Sequence, residues 1–253
     1  MGIGESIKKG FGIAKQSMPL VLVLFVLGFI FNMINLKLAP QTADTEAPPS
    51  PILIIAGIIF IFLTIFLQAG TMGFVRDKIK TGTATLANFV SAGGKYYLPI
   101  LILGIVVSLI IGVFVLLAAL VVAALQNVPV LSIPLGILFA ALGVYFVVML
   151  FLSPYAVVVD GKTVKQSIGL SVKLVKKNIL PLLGMSALLI LIGFGIGLGL
   201  GAVLAGVGAL VKQETVSQTI FALLSSLVNS YLGIVVTATF MNFYLAIPDR
   251  NNN

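Results

Sequence analysis

The chain has 253 residues, 60% of them hydrophobic and only 9% charged, with a formal net charge of +8. A soluble domain carries about 25% charged residues, so this composition cannot cover a core with solvated surface and directs most of the chain to lipid. It contains no Cys and no His, which excludes disulfides, a thiolate nucleophile, an imidazole base and ordinary zinc sites.

Residues 1–17 read as an amphipathic helix. Ile3, Ile7, Phe11 and Ala14 share one face, and Glu5 and Lys9 pair four residues apart on another. The first apolar run, 18–36, has about the 20 residues that a membrane-crossing helix needs. The stretch before it is long for a signal-peptide n-region and no clear A-x-A site follows, so the run is expected to remain as an uncleaved span. A Pro-rich connector, APQTADTEAPPSP, leads to the second run, 52–73, and Arg76, Asp77, Lys78 and Lys80 lie just past its end.

Leu86, Phe89 and Val90 form a second amphipathic stretch ahead of the third run, 98–125. The uncharged QNVPVLSIP joins it to the fourth, 131–159, which ends at the turn signal Asp160-Gly161. Thr163 and Gln166 then have the spacing of a capping box that starts a third amphipathic helix. Val164, Ile168, Val172 and Val175 make its apolar stripe, with Lys162, Lys165, Lys173 and Lys176 clustered opposite. The fifth run, 179–210, and the sixth, 217–247, are separated by KQET.

None of the six runs holds a Lys, Arg, Asp or Glu in its interior. They predict an all-α integral membrane protein, a single polytopic domain over 1–253. Orientation follows from the basic residues of the connectors. On one side lie Lys8, Lys9, Lys15, Arg76, Lys78, Lys80, Lys95, Lys162, Lys165, Lys173, Lys176, Lys177 and Arg250, against Lys37 and Lys212 on the other. Both termini are therefore expected in the cytoplasm and the protein in the plasma (inner) membrane.

Three segments repeat one pattern: KQSMPLV from Lys15, KYYLPIL from Lys95 and KNILPLL from Lys177. Proline in a helix's first turn lacks only an N–H that would be unpaired anyway, and the lysine stem can lie along apolar surface while its head reaches the headgroups. The expected unit is an interfacial helix followed by a two-span hairpin, taken three times in the same orientation. Because many transporters use inverted repeats, parallel ones weigh mildly against alternating access.

Positive charge beside apolar runs suits anionic headgroups and not nucleic acid. Lys15, Lys95, Lys162, Lys165, Lys173, Lys176 and Lys177 are the expected headgroup contacts. Ser226, Asn229, Ser230 and Thr237 form a polar stripe in the sixth run, read as interhelical glue or as a path for a solute. Gly193, Gly197 and Gly201 in the fifth have small-xxx-small spacing, with Gly195 and Gly199 as a second row. They are expected to pack a helix wedged between neighbours. Asp77, Asp160 and Asp249 follow spans two, four and six. A turn role, with Arg76, Lys162 and Arg250 neutralising each acid, is the simpler reading; a carboxylate ring for a divalent cation is the other. No catalytic constellation, cofactor or metal site is expected.

The stretch FLSPYAVVVDGKTVKQSIGLSVKLVKKNILPLL, residues 151–183, resembles the six-helix membrane domain found beside some glycerophosphodiester phosphodiesterases and in stand-alone inner-membrane proteins of the YciC type. Pro154, Asp160-Gly161, Ser171, Leu174 and Lys176-Lys177 carry the resemblance. It implies a membrane fold and no reaction, because the phosphodiesterase activity of that group belongs to a separate soluble barrel. The expected role is a non-enzymatic one, organising lipid or scaffolding a protein partner at the membrane. The alternative is a transporter for a lipid-like or weakly polar solute.

Overall fold

The structure, a computed structural model, describes residues 2–38, 51–210 and 213–248. Among these the chain forms nine α-helices and no strand: α1 (Ile3–Lys15), α2 (Met18–Leu38), α3 (Pro51–Thr81), α4 (Leu86–Ala124), α5 (Pro129–Met149), α6 (Ser153–Asp160), α7 (Val164–Lys177), α8 (Ile179–Leu210) and α9 (Glu214–Ala246). Six stretches of helix are long and apolar enough to cross a membrane. The Pro-rich connector at 39–50, Lys212, Asp249 and Arg250 lie outside the described residues.

Contacts divide the chain into two compact units, 1–94 with 183–246 and 95–182 with 247–253, a partition that runs across the expected repeat boundaries. In the first, α9 is the central element and packs on α1, α2 and α3. Gly10 lets α1 come close: a Cβ there would stand 2.1 Å from Thr239 Oγ1 and 2.8 Å from the Val235 carbonyl oxygen. The Phe11 ring lies 6.3 Å from that of Tyr231. Glu5 and Lys9 pair at 2.9 Å as expected, on the exposed side. The buried face of α1 is Ser6, Ile7, Gly10 and Ala14, rotated from the expected stripe because small residues at 6 and 10 admit α9 where Ile3 and Phe11 would hold it off.

The α3–α4 connection is tight for a similar reason. A Cβ on Gly73 would meet that of Ala92 at 2.1 Å, and one on Gly70 would meet the Phe89 ring at 2.7 Å. Phe66 and Phe89 meet edge to face. Gly82, at φ +76, turns the chain just after α3.

Two expected boundaries are corrected here. Leu86, Phe89 and Val90 do not form a separate helix ahead of the third span; α4 runs unbroken from Leu86 through Pro99. Proline in a helix interior removes one i→i−4 hydrogen bond, but the bulk of Phe89 and the smallness of Ala92 lock this stretch onto α3 and continue the helix. Pro19 and Pro181 do fall in the first turns of α2 and α8. The fourth run, in turn, is two helices and not one.

That break lies in the second unit, where α7 packs on α5 and α6. The N–H groups of Leu150 and Phe151 turn back to the carbonyls of Val147 and Val148, both at 3.1 Å, and Pro154 occupies the first turn of α6. The backbone groups released by the break are taken by one side chain. Ser171 Oγ of α7 donates to the Met149 carbonyl at 2.7 Å and accepts from the Leu152 N–H at 3.1 Å. Gly161, at φ +63, ends α6, as the Asp-Gly signal predicts. Thr163 and Gln166 form the capping box of α7, with bonds of 3.4 and 3.2 Å. Elsewhere in this unit, α4 and α5 meet through Phe114 and Phe146, with ring centres 5.5 Å apart.

Candidate functional site

The seven lysines expected to meet headgroups are distributed over both units. Lys15 is exposed in the last turn of α1, and Lys95 is exposed on α4 with its ammonium 5.3 Å from the centre of the Tyr96 ring. The other five belong to α7 and the turn before it. Lys165, Lys173, Lys176 and Lys177 are exposed and Lys162 is half-buried. The opposite face of α7 is Ser167, Leu170, Ser171, Leu174 and Val175, all buried. Of the expected stripe, Val164, Ile168 and Val172 are half-buried at the edge of that face. The two serines take the inward positions in their place: Ser171 bridges the helix break and Ser167 bonds the Val164 carbonyl at 2.7 Å.

α7 is thus a helix with its apolar and small residues on protein, its lysines outward and a band of β-branched side chains between them. A shallow pocket of about 330 Å³ opens beside its first two turns, lined by Lys162, Gln166, Gly169 and Leu170. Its lining thus offers one cation, one side-chain amide and a leucine. α1 has the same division, with Lys8, Lys9 and Lys15 exposed. The Lys9 ammonium beside Glu5 holds that carboxyl below its usual range.

The polar stripe of α9 is split by the structure. Ser226 and Ser230 are buried, whereas Asn229 is exposed and Thr237 is half-exposed. Ser226 joins two helices by accepting from Asn32 Nδ2 of α2 at 2.8 Å, while its own hydroxyl bonds the Ala222 carbonyl at 2.6 Å. Ser230 and Thr237 bond back to the carbonyls of Ser226 and Gly233, at 2.7 and 2.8 Å. The groove beside α9 is apolar, lined by Leu227, Val228, Tyr231 and Leu232 and not by the stripe.

The glycine rows of α8 are a further correction. Among the described residues, a Cβ on Gly193, Gly195, Gly197, Gly199 or Gly201 would meet nothing within 4 Å, so these glycines are not wedged between described neighbours. Small side chains permit close approach but do not supply the larger residues that would fill it. Among the described glycines, tight packing falls instead on Gly10, Gly70, Gly73 and Gly93 of the first unit and on Gly143, held against Phe114, in the second. What faces them is a ring at Gly70, Gly93 and Gly143 and a closely approaching helix at Gly10 and Gly73, a signal that spacing within one helix does not carry.

Asp77 is engaged by its neighbours. Arg76 Nη2 stands 2.7 Å from one carboxylate oxygen, and Asn88 Nδ2 donates to the other at 3.3 Å. Asp160 is the last residue of α6, before the left-handed Gly161, and Asp249 is outside the described residues. Among the described residues no group of three or more His, Cys, Asp or Glu could hold a metal ion. Ser171 and Asn32 make bonds between elements that periodicity alone did not predict; each is a polar residue in an apolar setting, the pattern that marks interhelical bonding.

A family model described as a domain of unknown function, DUF7847, matches residues 1–247. No curated protein and no solved structure matches the chain.

Proposed function

We propose that this chain, which belongs to the DUF7847 family, is a non-enzymatic multi-pass protein of the plasma membrane that organises anionic lipid, or holds a protein partner against it, through basic amphipathic helices on the cytoplasmic face. The membrane class rests on six helices long and apolar enough to cross a bilayer. The observation that carries the lipid role is α7, whose one face is buried while Lys165, Lys173, Lys176 and Lys177 are all exposed on the other. Each lysine near an anionic surface contributes about 1 kcal/mol. Anchored by Ser171 to the α5–α6 break, the helix holds those charges in a fixed array.

In this reading α1 and α7 lie at the interface, each preceding a hairpin of spans, and both termini face the cytoplasm. The resemblance of residues 151–183 to the membrane domain beside some glycerophosphodiester phosphodiesterases implies a membrane fold and no reaction. The test is vesicle binding by α7 in the full-length protein, tethered in nanodiscs, with Lys173→Gln, Lys176→Gln and Lys177→Gln combined. Affinity for phosphatidylglycerol vesicles is expected to fall roughly 100-fold, the scale of three such charges. Equal affinity for phosphatidylcholine and phosphatidylglycerol vesicles would defeat the proposal.

A second reading, a transporter for a lipid-like solute, is favoured by one feature. Asn229, exposed within an apolar span, makes no hydrogen bond among the described residues, and an unsatisfied amide in hydrocarbon is costly. Solute uptake into proteoliposomes that is lost in Asn229→Leu would select this reading over the first.

A further inference from the structure

We infer that the apolar groove walled by α2, α8 and α9 holds one acyl chain of an anionic phospholipid, with Lys15 meeting its headgroup at the end of α1. The groove has a volume of about 290 Å³, and Met18, Val21, Ile196, Leu227, Tyr231 and Leu232 line it. All three walls belong to candidate spans, so the material available to fill the groove is hydrocarbon or another helix. Its lining is apolar on every wall, the chemistry that a flexible alkyl chain of the bilayer meets.

Charge selects the headgroup. Tyr231 of the groove packs against Phe11 of α1, which places α1 along one end. Lys15 precedes the lining residue Met18 by three positions, is exposed, and forms no ion pair among the described residues. The acid of α1, Glu5, is already paired with Lys9 at 2.9 Å. The uncompensated charge at that end is therefore positive and complements a net-negative headgroup. This is a discrete site in the first unit and does not require adsorption through α7.

The test uses the full-length protein in phosphatidylcholine nanodiscs with a trace of phosphatidylglycerol carrying a diazirine at mid-chain, and maps crosslinks by peptide sequencing. Labelling is expected to concentrate on Met18, Leu227 and Leu232, above the level at the exposed Ile55 and Ile59 of α3. A matched phosphatidylcholine probe is expected to label the groove about fivefold less, the scale of one lysine at an anionic headgroup, and Lys15→Gln to remove that preference. Leu227→Trp, which fills the groove, should abolish groove labelling and leave α3 labelling unchanged. Groove labelling no higher than that of Ile55 and Ile59 in the wild-type protein overturns the inference, as does equal labelling by the two probes. The triple α7 lysine variant should leave groove labelling intact, so failure of the α7 proposal and failure of this one give different results.

Discussion

Ser171 serves both sides of the helix break in the second unit. A break in a buried helix releases backbone groups that must find partners, and one hydroxyl serves both Met149 and Leu152. Ser171→Ala leaves two buried groups unpaired and is expected to cost about 1–3 kcal/mol for each. A lowered unfolding midpoint in detergent would show it, and α7 should become more accessible to trypsin at Lys173, Lys176 and Lys177. At Gly10 the constraint is space. Gly10→Ala would press a methyl onto Thr239 and onto the Val235 backbone, with an overpacking cost of about 1–3 kcal/mol. Because the second obstacle is backbone, adding Thr239→Ala should restore only part of the loss, read by trypsin cleavage in α1 at Lys8, Lys9 and Lys15.

The helices differ in how openly their residues announce them. The apolar runs, the capping box at Thr163 and the left-handed turn at Gly161 depend on local composition and were readable from neighbours in sequence. The unbroken α4 and the divided α5–α6 were not, because each depends on a partner far along the chain. Pro99 is carried inside a helix whose first turns are fixed on α3, and the break at 150–152 is stabilised from α7. Proline in a helix interior costs about 3 kcal/mol relative to alanine. Pro99→Ala is therefore expected to raise the unfolding midpoint, whereas no gain would indicate that Pro99 opens a separate helix. The glycines of α8 lead to a similar expectation. With nothing near their Cβ positions, replacing Gly193, Gly197 and Gly201 by Ala should stabilise α8 by up to about 1 kcal/mol each. Lost stability would instead reveal a face packed against something beyond this chain.

At the scale of the whole chain, the candidate spans are notable for how little of themselves they bury. No more than 22% of the most apolar window of any of them is buried. Burial concentrates instead at 69–75 of α3 and 234–244 of α9, and around the α5–α6 break. α9 alone, with 33 residues, is about 50 Å long, well beyond a hydrocarbon core of about 30 Å. The residues that define the basic faces are attached to this buried framework, while the apolar windows are left for lipid to solvate. The same contrast explains why the candidate lysines could be named from sequence but their seating could not. Charge is visible locally, whereas the small residues that seat α1 and α7 acquire meaning only from what they touch.

The absence of native cysteine permits the most direct test of a six-span chain with its basic helices on one side. Single cysteines would be placed at Lys165, exposed on α7, and at Gln126, in the turn between α4 and α5, and labelled with a membrane-impermeant maleimide in intact spheroplasts. The account predicts labelling of Gln126→Cys in intact cells and of Lys165→Cys only after lysis. Labelling of Lys165→Cys in intact cells, or protection of both positions until lysis, would contradict it.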